Sequence, residues 1–231
     1  MASATRWLPR GSGLGPSARQ PDRRAIDLTA SLHTMRNSTP IFRIRPMEGR
    51  DIPTIVGLDR RIFRDPWPES AYVQEVYFNP HAHYFVLELL DLRYTRAWFD
   101  RRRSRAERLL GFVGMRVEQA RGHISTLALR PEWRGQHLGE TLLLTAIDQA
   151  IRDDAEVIGL EVRVSNTVAQ RLYTKCKFVV RSVLHRYYAD GEDAYYMQVQ
   201  VTEDPHFAPW VQGRLQQLLA DLRIEKVDPS R

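Results

Sequence analysis

Two stretches of the chain hold residue types whose spacing could do chemistry. The first is Arg134-Gly135-Gln136-His137-Leu138-Gly139, a polar turn that follows a β-branched run ending at Pro131 and runs straight into an apolar helix from Leu138. A helix that starts in such a turn leaves its first backbone N–H groups unpaired and points the positive end of its dipole at the turn. That is the layout of an anion site, and a diphosphate is its natural guest. The second stretch is Val157-Ile158-Gly159-Leu160-Glu161-Val162-Arg163-Val164, an apolar strand interrupted by a carboxylate. A carboxylate inside a strand is costly unless it is used or solvated. Glu161 therefore reads as a proton acceptor or as half of an ion pair with Arg163 or another arginine. Cys176 is the one thiol and has no histidine near it in sequence, so it reads as structural.

The elements that must position these residues follow from periodicity. Ile41-Phe42-Arg43-Ile44-Arg45 alternates as a half-buried strand does. Asp51 stands as an N-cap before a helical stripe of Ile52, Ile55, Val56, Leu58, Ile62 and Phe63. The segment Arg64-Asp65-Pro66-Trp67-Pro68 is too restricted for helix, and its Trp67 either lines a pocket or plugs the edge of the core. A second helix over 69–78 ends at Asn79-Pro80, and strands follow over 83–90 and 109–117. The connection between them, 91–108, far exceeds a hairpin loop and reads as an insertion. Its arginines either face solvent or dock RNA or an acidic partner.

The helix from Leu138 turns Leu142, Leu143, Ile147 and Ile151 inward. Ser165-Asn166 caps a helix bearing Ala169, Leu172 and Tyr173. Strands over 178–184 and 194–201 are joined by a polar turn containing Tyr187 and Tyr188. A terminal helix over 210–222 carries Trp210, Leu215, Leu218, Leu219 and Leu222 on one side, for packing on the domain or on a partner.

With 231 residues and 43% hydrophobic content the chain suits one domain with extensions. Its formal charge of +6 comes mostly from arginine, which fits a nucleic-acid neighbourhood or simply an arginine-rich proteome, and no motif here requires nucleic acid. One cysteine excludes an internal disulfide framework. No apolar run approaches the roughly 20 residues of a membrane helix, so no membrane partner is expected and a cytoplasmic location is. Residues 1–40, rich in Gly, Ser, Pro and Arg, read as a disordered or loosely packed extension. A transit peptide or a natural start at Met35 would each account for it.

The order strand, helix, helix, three strands, helix, strand, helix, two strands resembles that of the GNAT acetyltransferases. The turn from Arg134 to Gly139 is similar to that superfamily's acetyl-CoA pyrophosphate loop. The block Leu160-Glu161-Val162-Arg163-Val164-Ser165-Asn166, with Ala169, Leu172-Tyr173 and Phe178, resembles the protein N-terminal acetyltransferases. With Tyr187-Tyr188 and Gly191-Glu192-Asp193-Ala194 added, it resembles their ribosomal-protein-alanine N-acetyltransferase (RimI) branch. The resemblance implies an α/β fold with a central mixed, mostly antiparallel sheet flanked by helices and splayed between its fourth and fifth strands. It would place an acetyltransferase domain over 41–202, with the arginine insertion inside it and a C-terminal extension over 203–231.

It also implies roles for residues. Acetyl-CoA would be the co-substrate, with no metal. The backbone of Leu127, Ala128 and Leu129 would pair with the pantetheine arm, and a bulge near them would polarise the thioester carbonyl. Arg134, Gly135, Gln136, His137, Leu138, Gly139 and Glu140 would hold the diphosphate, and Asn166 would bond the cofactor arm. Glu161 would be the general base, Tyr173 the general acid, and Trp67, Tyr187 and Tyr188 would flank the substrate. The implied reaction is acetyl transfer to a protein N-terminal α-amine, with the N-terminal alanine of a small-subunit ribosomal protein as the substrate of that branch. A small-molecule amine acetyltransferase and a weakly catalytic acetyl-CoA-binding or RNA-associated module are the alternatives.

Three positions depart from the family pattern. His137 stands where glycine is common, and the backbone cradle survives if its side chain turns outward. Glu140 stands where a basic residue is frequent. Two like charges about 6 Å apart cost only about 0.7 kcal/mol in water, and several-fold more if desolvated. Lys177 replaces the glycine usual before Phe178, and lysine resists positive φ.

Overall fold

The computed structural model describes residues 41–90 and 105–227. The expectations for 1–40 and for most of the arginine insertion lie outside the described residues. Strand β1 (Phe42–Pro46) leads to helix α1 (Ile52–Ile62) and helix α2 (Glu69–Val73), which continues as one π turn over Gln74–Phe78. Then come β2 (Ala82–Leu89), a single turn of helix α3 (Arg105–Arg108), β3 (Leu109–Glu118) and β4 (Arg121–Leu129). Helix α4 (Leu138–Arg152) precedes β5 (Val157–Arg163), and α5 (Thr167–Lys175) precedes β6 (Val179–Leu184) and β7 (Ala194–Gln200). Helix α6 (Phe207–Asp221) and β8 (Ile224–Lys226) complete the described chain.

The strands form one sheet in the order β6-β7-β5-β4-β3-β2-β1-β8, antiparallel except where β5 joins β4 and β8 joins β1. Alternation along β2 divides the core in two. Phe85, Leu87 and Leu89 face a cluster with α4, while Tyr84 and Val86 face a cluster with Ile52, Ile55, Val56 and Leu58 of α1 and Tyr72 of α2. Helix α4 is buried on nearly every side, including Thr141, Thr145 and Asp148, because α6 packs against it.

The parallel pairing of β4 with β5 is short. Arg121, Gly122 and His123 pair with Val157, Ile158 and Gly159, and the pairing ends there. From Ile124 onward β4 remains bonded to β3 on one side but no longer pairs with β5 on the other. This is the expected splay between the fourth and fifth strands.

The C-terminal extension folds back on the domain. Phe207, Val211, Leu215 and Leu218 are buried, and β8 adds to the edge of β1 with Phe42 opposite Ile224. Lys226 Nζ reaches Asp148 Oδ2 at 2.7 Å, fastening β8 to α4. The sequence gives no sign of β8 because Ile-Glu-Lys is too short to show a period. Among the described residues no helix is long and apolar enough to cross a membrane.

Asp51 corrects an expectation. It precedes α1 without capping it, and its side chain instead accepts from Glu48 N–H at 2.9 Å in the capping box of the 3-10 turn Gly49–Asp51. Fully buried, it accepts from Arg45 at 2.7 and 3.1 Å, in a bidentate pair that Glu88 extends at 3.3 Å. The alternation of β1 thus places one basic residue inside, where only a carboxylate makes it tolerable. Replacing Asp51 by Ala should cost about 3–5 kcal/mol, because it strands a buried guanidinium. Chemical-denaturation midpoints would measure this, and a loss below about 1 kcal/mol would contradict it.

Candidate active site

The splay exposes the edge of β4 that a neighbouring strand would otherwise cover. Within β4, Thr126 pairs with Gly114 and Ile124 with Met115, leaving Ser125 as an extra residue. The bulge therefore sits at Ser125, two residues before the position near Leu127 to Leu129 that the sequence suggested. A bulge turns neighbouring side chains off the strict alternation. Leu127 and Leu129 belong with the α4 cluster and Ala128 with the α1 cluster, so this trio offers an extended, apolar edge. The carbonyl of Leu129 also accepts from Arg134 Nε at 3.2 Å, so that guanidinium closes the turn instead of reaching outward.

The turn itself is open, with residues 134–137 exposed. Gly135 has φ +77°, and a Cβ added there would meet nothing within 4 Å, so backbone conformation alone calls for glycine. His137 adopts φ +60°, ψ 1°, in the left-handed region that a glycine would take freely. Its side chain is 53% exposed, with Nδ1 2.8 Å from Glu140 Oε2. His137 makes no side-chain cap to α4, and among the described residues the N–H groups of Leu138, Gly139 and Glu140 have no intrahelical partners.

Glu140 is not solvated. It is 4% exposed, and Lys175 Nζ at 2.5 Å, Arg214 Nε at 2.9 Å and His137 Nδ1 surround its carboxylate. Burial opposes its ionisation, but hydrogen bonds from Arg214, Lys175 and His137 outweigh it and hold its pKa down at about 2. The like charge expected beside the diphosphate site thus comes already neutralised. Lys177 does take positive φ, +71°, against expectation. The turn is fixed by Lys177 N–H to Thr174 at 3.0 Å and Phe178 N–H to Tyr173 at 3.0 Å, while Phe178 is buried. The lysine ammonium lies 5.4 Å from the centre of the Trp210 ring.

Glu161 has a partner that its own strand does not reveal. Its Oε2 lies 2.8 Å from His123 Nε2, whose Nδ1 is 3.4 Å from Ser125 Oγ. A carboxylate can only accept, so His123 donates through Nε2. Its other oxygen, Oε1, makes no hydrogen bond to the described residues. The alternative of an arginine ion pair is not what forms. Arg163 instead binds Asp65, Asp190 at 3.0 Å and Glu192 at 2.6 Å, with its guanidinium 3.8 Å over the Tyr188 ring. Period-two alternation puts His123 and Glu161 on facing strands, but only the parallel register reveals that they meet.

Arg163 draws together two loops. Asp65 belongs to the loop of Trp67, and Asp190 and Glu192 to that of Tyr187 and Tyr188. Trp67 is half-buried, 5.6 Å from the Tyr72 ring, and its backbone N–H bonds buried Asp59 at 2.7 Å. It packs on the core, while Asp65 of its loop reaches Arg163 and, through it, the β6–β7 turn. Tyr187 and Tyr188 stack edge to face at 5.1 Å. Burial and then the Glu161 charge push the Tyr187 hydroxyl up; burial foremost pushes that of Tyr188 up to about 12.

Asn166 accepts from Ala169 N–H at 3.2 Å as the cap of α5, and its side-chain amide is exposed. Tyr173 is buried on α5, 6.1 Å from Phe178, and desolvation pushes its hydroxyl well above the ordinary phenol range. Cys176 is fully buried, and burial foremost pushes its thiol up to about 12. Thiolate character is needed for reaction. Native protein should therefore leave Cys176 unmodified by Ellman's reagent at about pH 8 and react fully once unfolded; rapid labelling of the native form would contradict the assignment.

Residues 52–178 match the family model described as Acetyltransferase (GNAT) family. A Bacillus subtilis protein provisionally named a ribosomal protein bS18-alanine N-acetyltransferase is 34% identical over 161 residues, covering 69% of this chain and 96% of its own. An N-alpha-acetyltransferase of Sulfurisphaera tokodaii is 31% identical over 170 residues, covering 68% and 91%. The crystal structure of Arabidopsis thaliana NAA60 in complex with acetyl-CoA superposes with a TM-score of 0.59 at 18% identity, covering 69% of this chain and 98% of that one. Its likeness is one of fold. With the matched family model spanning more than half of its length, the chain belongs to the GNAT family and is an N-acetyltransferase.

Proposed function

We propose that this enzyme transfers the acetyl group of acetyl-CoA to the free α-amine at a protein N-terminus. The observation that carries the reading is the Glu161 carboxylate, held through one oxygen by His123 beside the splay, with Tyr187 and Tyr188 close by. The residues suit acetyl-CoA. An uncovered β4 edge from Ile124 would take an extended amide-bearing arm, and the open turn at Gly135 to His137 with the unpaired N–H groups of α4 would take the diphosphate. Leu127, Ala128 and Leu129 would hold the arm with Asn166, and residues 134–140 the phosphates.

Bound acetyl-CoA supplies an activated acetyl thioester. An α-ammonium has a pKa near 8, so roughly a tenth is neutral at pH 7. Glu161 Oε1 accepts the proton that the amine sheds, directly or through one water, and His123 keeps the carboxylate aimed by holding Oε2. As the amine nitrogen bonds the acetyl carbon and the carbon–sulfur bond breaks, Tyr173 donates a hydrogen bond to the departing sulfur. Its raised pKa makes it a weaker acid than a thiol, so this phenol stabilises the leaving group without giving up its proton outright. Trp67 and the Tyr187-Tyr188 turn flank the first residues of the substrate. The relatives' names favour a protein terminus, and that of the Bacillus protein favours an N-terminal alanine on a ribosomal protein. The buried thiol suits a reducing, cytoplasmic setting.

A panel of N-terminal peptides, including alanine-first ones, should show transfer to the α-amine by intact mass. Acetylation of a free polyamine but of no peptide would overturn the reading. Within the active reaction, Glu161→Gln should lower kcat on the order of 10²–10⁴-fold. His123→Asn should lower it on the order of 10–100-fold by freeing the carboxylate. Stopped assays at saturating acetyl-CoA would measure both, and unchanged turnover would remove these roles.

A further inference from the structure

We propose that helix α6, which lies beyond the matched residues 52–178, completes the acetyl-CoA site, with Arg214 as a positioning residue that neutralises Glu140 and fixes the pyrophosphate turn. The inference rests on the acetyl-CoA reading and adds a residue from outside the family domain to it.

Glu140 lies in the first turn of α4, at the same positive helix end that a diphosphate would use. A carboxylate there competes with the ligand. Alone and desolvated, it would repel a diphosphate far more strongly than a solvated charge does. The chain does not leave it alone. Arg214 of α6 takes Oε1, while Lys175 of α5 and His137 of the turn take Oε2. With Lys175 and Arg214 both charged, the cluster is net positive. Its carboxylate gathers cations from two helices against the turn, although no basic side chain occupies position 140.

The same carboxylate also sets the turn. His137 holds the left-handed conformation that glycine would adopt freely, and its ring is tied to Glu140. Arg214 fixes the other oxygen, and its Nη1 is itself braced by Gln217 at 3.0 Å. A second tie from α6 reaches the neighbouring departure from the family pattern, where Trp210 lies under the Lys177 ammonium. Two of the three atypical positions, Glu140 and Lys177, thus meet side chains of α6, and the third, His137, meets Glu140.

The test is acetyl-CoA binding by titration calorimetry on the full chain, alongside steady-state kinetics. Wild type should bind; absence of binding would refute the acetyl-CoA reading itself. Given binding, Arg214→Gln should weaken it at least tenfold and raise KM for acetyl-CoA similarly, while kcat at saturation stays within about twofold. Adding Glu140→Gln to Arg214→Gln should restore affinity to within about threefold of wild type, since the charge needing neutralisation is gone while the glutamine amide oxygen can still accept from His137. A purely structural arginine would give no such rescue. Arg214→Lys, which keeps a cation and the fold, should also bind within about threefold. Unchanged affinity in Arg214→Gln, or a double variant as weak as the single one, would overturn the inference.

Discussion

The structure depends on where one pair of strands stops bonding. Parallel pairing between β4 and β5 ends at His123 opposite Gly159, and past that point the two strands separate. A backbone edge in a protein interior cannot stay unpaired without cost. Here water or an extended ligand could satisfy it. The last paired residues also bring His123 against Glu161, so the edge that would take an acyl carrier and the carboxylate that would take a proton arise from the same interruption. The bulge at Ser125 falls immediately beyond it, where β4 no longer has to match β5.

Much of the frame was legible in sequence because its signals are local. The period-two strands, the stripe of α1 and the glycine turn before α4 each follow from neighbours within a few residues. What escaped depends on register or on distant partners. Asp51 has the residue type and position of a helix cap, but the burial of Arg45 claims its carboxylate. Glu161 was recognisable as a carboxylate in an apolar strand, whereas its partner could be found only by aligning β4 with β5. Lys177 adopts the positive φ it should resist, because buried Phe178 and two backbone hydrogen bonds fix the turn more strongly than one side chain opposes it.

Charge distinguishes the proposed substrate side from the proposed cofactor side. Arg163 is surrounded by Asp65, Asp190 and Glu192, of which Asp190 is also approached by Arg64 at 3.6 Å, three carboxylates for two guanidiniums. With Glu161 nearby in the same strand, that side carries an excess of negative charge, which favours an incoming ammonium. Around Glu140 the ratio is reversed, with two permanent cations and a histidine for one carboxylate. That side favours an anion. Each cluster satisfies its central group internally, so neither field depends on an isolated buried charge.

The two clusters also differ in what they join. Arg163 ties together loops from opposite ends of the domain sequence, and of their aromatic rings Tyr188 lies directly against its guanidinium. Truncation of Arg163 would therefore loosen Asp65 and Tyr188 together while Trp67 stays on Tyr72, and in the proposed reaction its effect would fall on substrate capture before it fell on the chemistry. Glu140 instead ties a turn to two helices whose own apolar faces already hold them against the core. Its loss would leave the helices in place and alter only the charge and orientation presented by the turn. The proposed substrate side is thus held by an interaction that shapes it, and the proposed cofactor side by one that tunes it.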